Sequence, residues 1–249
     1  MTVPPTETVL ILGATSDIAR AIAHTFAGAG TTTLQLAGRD PEALAREAAD
    51  LRLRHEVTVT THAVDMCDPD THGPFLEGLD PLPDVAVCVA GTMGSQADNA
   101  QDPAKAARVV ATNLTGPMQV LGALANRFEA RGAGTLVGIG SVSGDRGRAK
   151  NYIYGASKAG FAAFLSGLRN RLHGTGVHVV TVKPGFVHTR MTAGLDLPAP
   201  LTAQPETVAG AVHRAVIRRR DVVYTLARWR PIMGIIRMIP EPLFKRLDL

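Results

Sequence analysis

The stretch Val9-Leu-Ile-Leu-Gly13-Ala14-Thr15-Ser16-Asp17-Ile18-Ala19 decides the fold. Its four apolar residues, 9–12, read as a buried strand of the kind found inside a parallel sheet. A turn of small residues follows, and a helix over roughly 17–29. Strand, small-residue turn and helix in this order let backbone N–H groups approach a pyrophosphate at a helix N-terminus. Gly13 is the turn's one glycine, and the strict G-x-G-x-x-G spacing is absent. Asp17 complicates the reading. A carboxylate beside a phosphate is unfavourable unless it turns away, and this one could instead cap the helix.

The same alternation continues along the chain. Residues 33–37, 57–64, 85–89, 135–139, 177–182 and 222–225 read as further strands, with helices at about 103–130 and 152–173 and another beginning near Pro41. Strands alternating with helices imply βαβ units. Right-handed crossovers then give an α/β fold with a doubly wound, Rossmann-like parallel sheet and helices on both faces. The Pro-rich stretch 197–205 reads as a loop too short to separate domains, so one domain over 1–249 is expected. The second strand ends in Gly38-Arg39-Asp40. An acidic residue there takes the ribose hydroxyls of NAD. Glycine leaves room instead, and the Arg39 guanidinium can bind a 2′-phosphate, which favours NADP(H) over NAD(H). Asp40 next door could cap the helix starting at Pro41.

Tyr154-Gly-Ala-Ser-Lys158 places a phenol and an ammonium at positions i and i+4, and Ser141 lies upstream. On a helix that spacing shares a face. A nearby cation draws a phenol pKa down toward the range useful for acid–base catalysis. A serine hydroxyl could hydrogen-bond the same substrate oxygen. This equipment moves a proton on or off a carbonyl oxygen, and the nucleotide turn suggests the source of the hydride.

With these residues collected, the chain resembles the short-chain dehydrogenase/reductase family over nearly its whole length. In the turn, Asp17 and Ala19 stand where the family's second and third glycines fall, and Gly13, Thr15, Ser16, Asp17 and Ile18 are the candidate cofactor contacts. By the resemblance, Asp65 with Met66 lies beside the adenine. Cys88-Val-Ala90-Gly91 replaces the usual Asn-Asn-Ala-Gly, so only Ala90 and Gly91 match. Asn113 matches an asparagine that holds a water near the lysine. Ser141, Tyr154 and Lys158 match the catalytic set, with Ser143 disfavoured by spacing. Pro184-Gly185-Phe-Val187-His-Thr189 matches the segment that holds the nicotinamide carboxamide. Three further segments, 13–19, 144–154 and 236–246, are similar to decaprenylphosphoryl-2-keto-ribose reductases, which reduce a ketone on a lipid-linked sugar phosphate. The resemblance therefore implies an NADP(H)-dependent ketone reductase acting on a lipid-linked or small carbonyl, 3-oxoacyl thioesters and steroid-like ketones included. A non-enzymatic dinucleotide sensor on the same fold is the alternative of another class. A homo-oligomer is also implied.

Composition bounds the rest. Aromatics are 4% of the 249 residues, which argues against a stacking surface for single-stranded nucleic acid. Two distant cysteines, Cys67 and Cys88, offer neither a disulfide framework nor metal-ligand spacing, and suit a reducing cytoplasm. The N-terminus lacks the pattern of a signal peptide. From Arg214 to Leu249 nine Arg/Lys face three Asp/Glu, a local +6, so the rest of the chain carries −2 of the net +4. Trp229, Ile232, Met233, Ile235, Ile236, Met238 and Ile239 interleave with arginines in this tail. It is expected to be a packed terminal helix, a lid over the substrate pocket or a segment lying in a membrane interface. The Arg218-Arg219-Arg220 run reads as a solvated helix end. A phosphate-bearing partner is the sharper reading of the basic end.

Overall fold

The computed structural model describes residues 6–247. In chain order the elements are β1 Thr8–Leu12, α1 Asp17–Gly28, β2 Thr33–Gly38, α2 Pro41–His55, β3 Thr58–Ala63, α3 His72–Glu77, β4 Val85–Cys88, α4 Gln96–Gln101 and α5 Pro103–Val110. Then come α6 Gly116–Arg131, β5 Gly134–Ile139, α7 Tyr152–Arg171, β6 Val177–Pro184, β7 Phe186–Val187, β8 Thr202–Ala203, α8 Pro205–Ile217, β9 Val222–Thr225, α9 Trp229–Met238 and α10 Glu241–Phe244. Seven strands form one sheet in the order β3-β2-β1-β4-β5-β6-β9. Every pairing in it is parallel, with Val9 opposite both Leu34 and Val85. The order runs outward both ways from β1, so the topological switch lies between β1 and β4. That is where the ends of open α/β sheets bind ligands.

β1, β4 and β5 are buried on both faces because helices cover both sides. One face packs on α1, α2 and α8 through Ile22, Phe26, Leu44 and Val212. The other packs on α6 and α7 through Leu121, Leu124, Phe128, Phe161 and Leu165. Capping fixes where the helices begin. Ser16 Oγ accepts from Ala19 N at 3.3 Å to cap α1, so Ser16 and not Asp17 is the capping residue. Asp40 Oδ1 accepts from Ala43 N at 3.0 Å, with Pro41 in the first position of α2.

The structure corrects two boundaries. The helix expected over 103–130 is not continuous, because Ala111–Thr115 forms a π-turn between α5 and α6. Pro117 has no N–H to give the Asn113 carbonyl its ordinary helical partner. The start of α6 is also pinned, since a Cβ on Gly116 would overlap the Met66 backbone. The loop at 197–205 is likewise not structureless. Thr202–Ala203 pairs with Phe186–Val187 in a second, two-stranded sheet, and Pro205 opens α8. A proline-rich run conceals a two-residue strand because so short a strand has no alternating pattern to display.

Candidate active site

The carboxyl ends of β1, β4, β5 and β6 open onto two adjoining hollows that share Ser16, Val89 and Gly91. The first, of about 450 Å³, is walled by Gly13 and Thr15 from the turn after β1, Gly38 and Arg39 after β2, Asp65 and Met66 after β3, and Ala90 after β4. The second, of about 310 Å³, takes Asp17 and Ile18 from α1, Ser141 after β5, Tyr154 and Lys158 from α7, and Pro184, Gly185, Val187 and Thr189 beyond β6. All the residues expected at a nucleotide thus line one continuous cleft.

Backbone approach shapes the first hollow. Gly13 has φ +79, where only glycine is unstrained, and a Cβ there would come within 2.8 Å of Ala90 N. Arg39 is exposed beside Gly38, and among the described residues its guanidinium has no partner. The nearest atom to an added Cβ on Gly38 would be a Leu44 methyl at 3.6 Å, so the strand end is open. Asp65 is tied down locally, its Oδ1 accepting from Cys67 N at 2.9 Å and its carbonyl meeting His72 Nε2 at 2.9 Å.

In the second hollow, Ser141 caps the turn Val142–Gly144, its Oγ accepting from Ser143 N at 3.1 Å. Its hydroxyl faces the Tyr154 phenol across the hollow and opposes the upward shift of that phenol's pKa. Ser143 is committed elsewhere, accepting from Arg148 Nη2 at 2.9 Å and from Asn151 Nδ2 at 3.2 Å. Tyr152, two residues before Tyr154, is 49% exposed and faces away from the cleft, lining neither pocket nor core.

Lys158 is 4% exposed and donates to Ile139 O at 2.9 Å. Burial pushes its ammonium pKa down to about 8, with a smaller opposing pull from Cys88. The expected direction for Tyr154 is not found here. Burial raises the phenol above its ordinary value, with a smaller opposing pull from the Ser141 hydroxyl. Lys158 Nζ stands 5.9 Å from the Tyr154 ring centroid and aims at the Ile139 carbonyl. Loss of hydration outweighs a cation at that distance.

Asn113 is fixed by its own side chain. Its fully buried carboxamide accepts from Thr92 N at 2.7 Å and donates to Thr92 O at 2.8 Å and Ser157 Oγ at 2.9 Å. The side chain therefore braces the segment after β4 against α7. Pro117 denies the Asn113 main-chain carbonyl its ordinary helical donor.

Two features of the site escaped sequence reading. Arg190 crosses the cleft mouth, with its N and Nε on the Asp17 carboxylate at 2.7 and 3.1 Å and Nη2 on Thr15 O at 2.5 Å. This answers the complication of Asp17, whose charge is directed to an arginine. The second is Asp145. Its carboxylate is almost fully buried, pairs with Lys183 and accepts from Tyr224 Oη at 2.8 Å. It ties the Ser141 turn to β6 and β9. Both pairings join positions far apart in the chain, so no local pattern announces them.

The tail packs behind the cleft, against the segment after β6. Trp229 is 4% exposed, meets Phe186 edge-on at 5.5 Å and donates from Nε1 to Leu201 O at 3.1 Å. With Met233 and Val142 it forms a third apolar cluster. Arg146 closes the far end of α9, donating to Ile236 O, Arg237 O and Ile239 O at 2.9, 3.2 and 2.5 Å and pairing with Glu241 at 2.8 Å. Gly185 underlies this packing, since a Cβ there would overlap the Trp229 indole. Gly185→Ala should therefore unseat α9 and cost about 1–3 kcal/mol. Thermal unfolding and trypsin cleavage near Arg228 and Arg230 would read both effects. An unchanged melting temperature and cleavage rate would contradict this packing.

A cleft across the carboxyl edge of a doubly wound parallel sheet defines a Rossmann-type α/β protein. The family described as short chain dehydrogenase matches residues 7–198, and the chain belongs to it. It is an enzyme of the dehydrogenase/reductase type. An uncharacterized oxidoreductase of Mycobacterium tuberculosis is 38% identical over 243 residues, covering 96% of each chain. One of Streptomyces coelicolor is 36% identical over 247 residues, covering 98% of this chain and 96% of that one. Among solved structures, a short-chain dehydrogenase from Sphingobium yanoikuyae in complex with NADPH superposes with a TM-score of 0.81. It is 29% identical, with 94% of this chain and 96% of that one covered.

Proposed function

We propose that the protein transfers hydride between NADP(H) and a carbonyl carbon, reducing a ketone to a secondary alcohol or running the reverse. One observation carries this reading. Ser141, Tyr154 and Lys158 converge in one hollow that adjoins a second walled by Gly13 and Arg39. The residues fit a phosphorylated dinucleotide. Gly13 and Gly91 leave backbone where a Cβ would fill the cradle, and Arg39 has no protein partner to surrender. The similarity to an NADPH-bound dehydrogenase supports the same choice.

NADPH, when bound, supplies the hydride. Ser141 Oγ hydrogen-bonds the substrate oxygen and stabilises charge developing there. Tyr154 Oη donates the proton to that oxygen, and its raised pKa keeps it protonated through the neutral range. Lys158 stabilises the phenolate left behind and binds ribose hydroxyls. Asn113 sets the floor of the site through Thr92 and Ser157. A water on its main-chain carbonyl would pass a proton from solvent to Lys158 as Lys158 gives up its own toward the Tyr154 phenolate, restoring both groups. Gly13, Thr15, Ser16 and Ile18 receive the pyrophosphate, Asp65 and Met66 the adenine, and Val187 and Thr189 the carboxamide.

Oxidation of NADPH followed at 340 nm across a panel of ketones, with NADH as the control, tests the reading. No turnover of any ketone with either cofactor would refute it. Arg39→Ala should raise KM for NADPH by about 10–100-fold and leave KM for NADH nearly unchanged, as loss of charged hydrogen bonds to one phosphate requires. Equal effects on both cofactors would remove Arg39 from the 2′-phosphate.

One observation favours a lipid-linked substrate. Ile235, Met238, Leu243 and Leu247 are 62%, 75%, 57% and 47% exposed on the tail that packs against Gly185, a lining residue of the cleft. Among the described residues no helix is long and apolar enough to cross a membrane, so contact would be peripheral. The full chain should pellet with liposomes, and Ile235→Ser/Met238→Ser/Leu243→Ser should pellet several-fold less. Equal pelleting of the two would remove the membrane contact and leave a small carbonyl as substrate.

A further inference from the structure

A groove of about 450 Å³ lies between α8 and β9, away from the cleft. Arg214, Arg218, Arg220 and Arg230 stand on its wall. All four are exposed, and among the described residues none has an ion pair or a side-chain hydrogen bond. Asp221, the neighbouring carboxylate, is turned to His178 at 3.2 Å and Arg169 at 3.8 Å. Thr225 lies on the groove too. It is 2% exposed, and its hydroxyl is buried without a hydrogen-bond partner. β9 is the outermost strand, so its free edge adds backbone groups that no neighbour satisfies.

These features share one chemical remedy. Four guanidinium groups gathered without a counter-charge repel one another, whereas surface charges of both signs are ordinarily interspersed. Guanidinium forks match the oxygens of a phosphate bidentately. A buried hydroxyl left unpaired is costly, and a phosphate oxygen that displaces the side chains covering it would pair it.

We propose that this groove binds a phosphate-bearing anion, of the size of a pyrophosphate or a phosphorylated headgroup, independently of the nucleotide cleft. Such an anion has two sources, a soluble phosphate or a lipid surface. The test uses the full chain with NADP+ in excess, to fill the cleft. Binding of labelled pyrophosphate is measured by equilibrium dialysis. Flotation compares vesicles of phosphatidylcholine with vesicles that also contain phosphatidylglycerol. Arg218→Gln/Arg220→Gln/Arg230→Gln should weaken binding by about tenfold for each guanidinium engaged, and Thr225→Val by several-fold, with ketone turnover unchanged. Loss of pyrophosphate binding in the triple variant identifies a soluble ligand. Loss confined to the anionic vesicles identifies a lipid headgroup. A cleft left open would show as a second class of sites that the triple variant keeps. The proposal is overturned if the wild type binds neither probe, or if the triple variant removes no class of sites.

Discussion

Replacing Tyr154 by Phe is expected to lower kcat by about 10²–10⁴-fold, the usual contribution of a positioned general acid. The ring keeps its place on α7, so cofactor affinity and stability should hardly change. Only the Oη is lost. Ser141 Oγ still faces the substrate oxygen and still accepts from Ser143 N, so a residual rate should survive. The loss belongs in kcat and kcat/KM together, because proton donation is made only in the transition state. Stopped-flow or steady-state rates with the best ketone, beside NADPH affinity by fluorescence, would measure both halves. Turnover near that of the wild type would end the assignment of Tyr154.

Lys158→Met should abolish most turnover and yet stabilise the fold near neutrality. The ammonium is 4% exposed, and burial brings its pKa from 10.5 to about 8. Below pH 8 both folded and unfolded states hold the proton, and the folded state bears the full cost of a buried charge. Between about 8 and 10.5 the folded state releases its proton first, so wild-type stability rises with pH in that window. The depressed pKa corresponds to about 3 kcal/mol. Loss of the Ile139 carbonyl's partner offsets about 1 kcal/mol. The variant should thus gain on the order of 1–2 kcal/mol at pH 7, and the gain should vanish by about pH 10.5. Denaturant unfolding at several pH values measures this. A difference independent of pH would mean that Lys158 is not a strained buried cation. Wild-type turnover should likewise fall as pH rises through about 8, because a neutral Lys158 no longer stabilises the phenolate.

The two substitutions separate roles that proximity alone confuses. Tyr154 carries the proton, and Lys158 carries charge at a standing cost in stability. Conflict of this kind between local stability and chemistry is typical of working sites.

How much was legible in the sequence follows from the range of each interaction. The central strands were readable because a strand buried on both faces is apolar throughout, the outer ones because β-branched runs alternate with helices and leave few topologies. Gly13 was readable because the turn needs positive φ, and Asp40 because a cap lies beside the helix it caps. The set Ser141, Tyr154 and Lys158 was readable as a spacing. Its placement in one hollow followed from all three lying at the carboxyl edge of the sheet.

Other features depended on contacts between distant segments. The raised Tyr154 pKa reflects burial that no spacing records, and the direction expected from Lys158 alone was reversed by it. Asn113 has the expected identity, but its carboxamide is consumed by Thr92 and Ser157. Arg190 on Asp17 spans 173 positions, and Arg146 on the end of α9 spans 90 or more. Trp229 over Gly185 seats the amphipathic tail against the segment behind the cleft. The sequence by itself determined the fold and the residue types of the site, since hydrophobic periodicity, turns and caps act over a few residues. Only the tertiary structure decided protonation, the partners of Asp17 and Asn113 and the seat of the tail, since desolvation and ion pairing depend on what the chain brings together from afar.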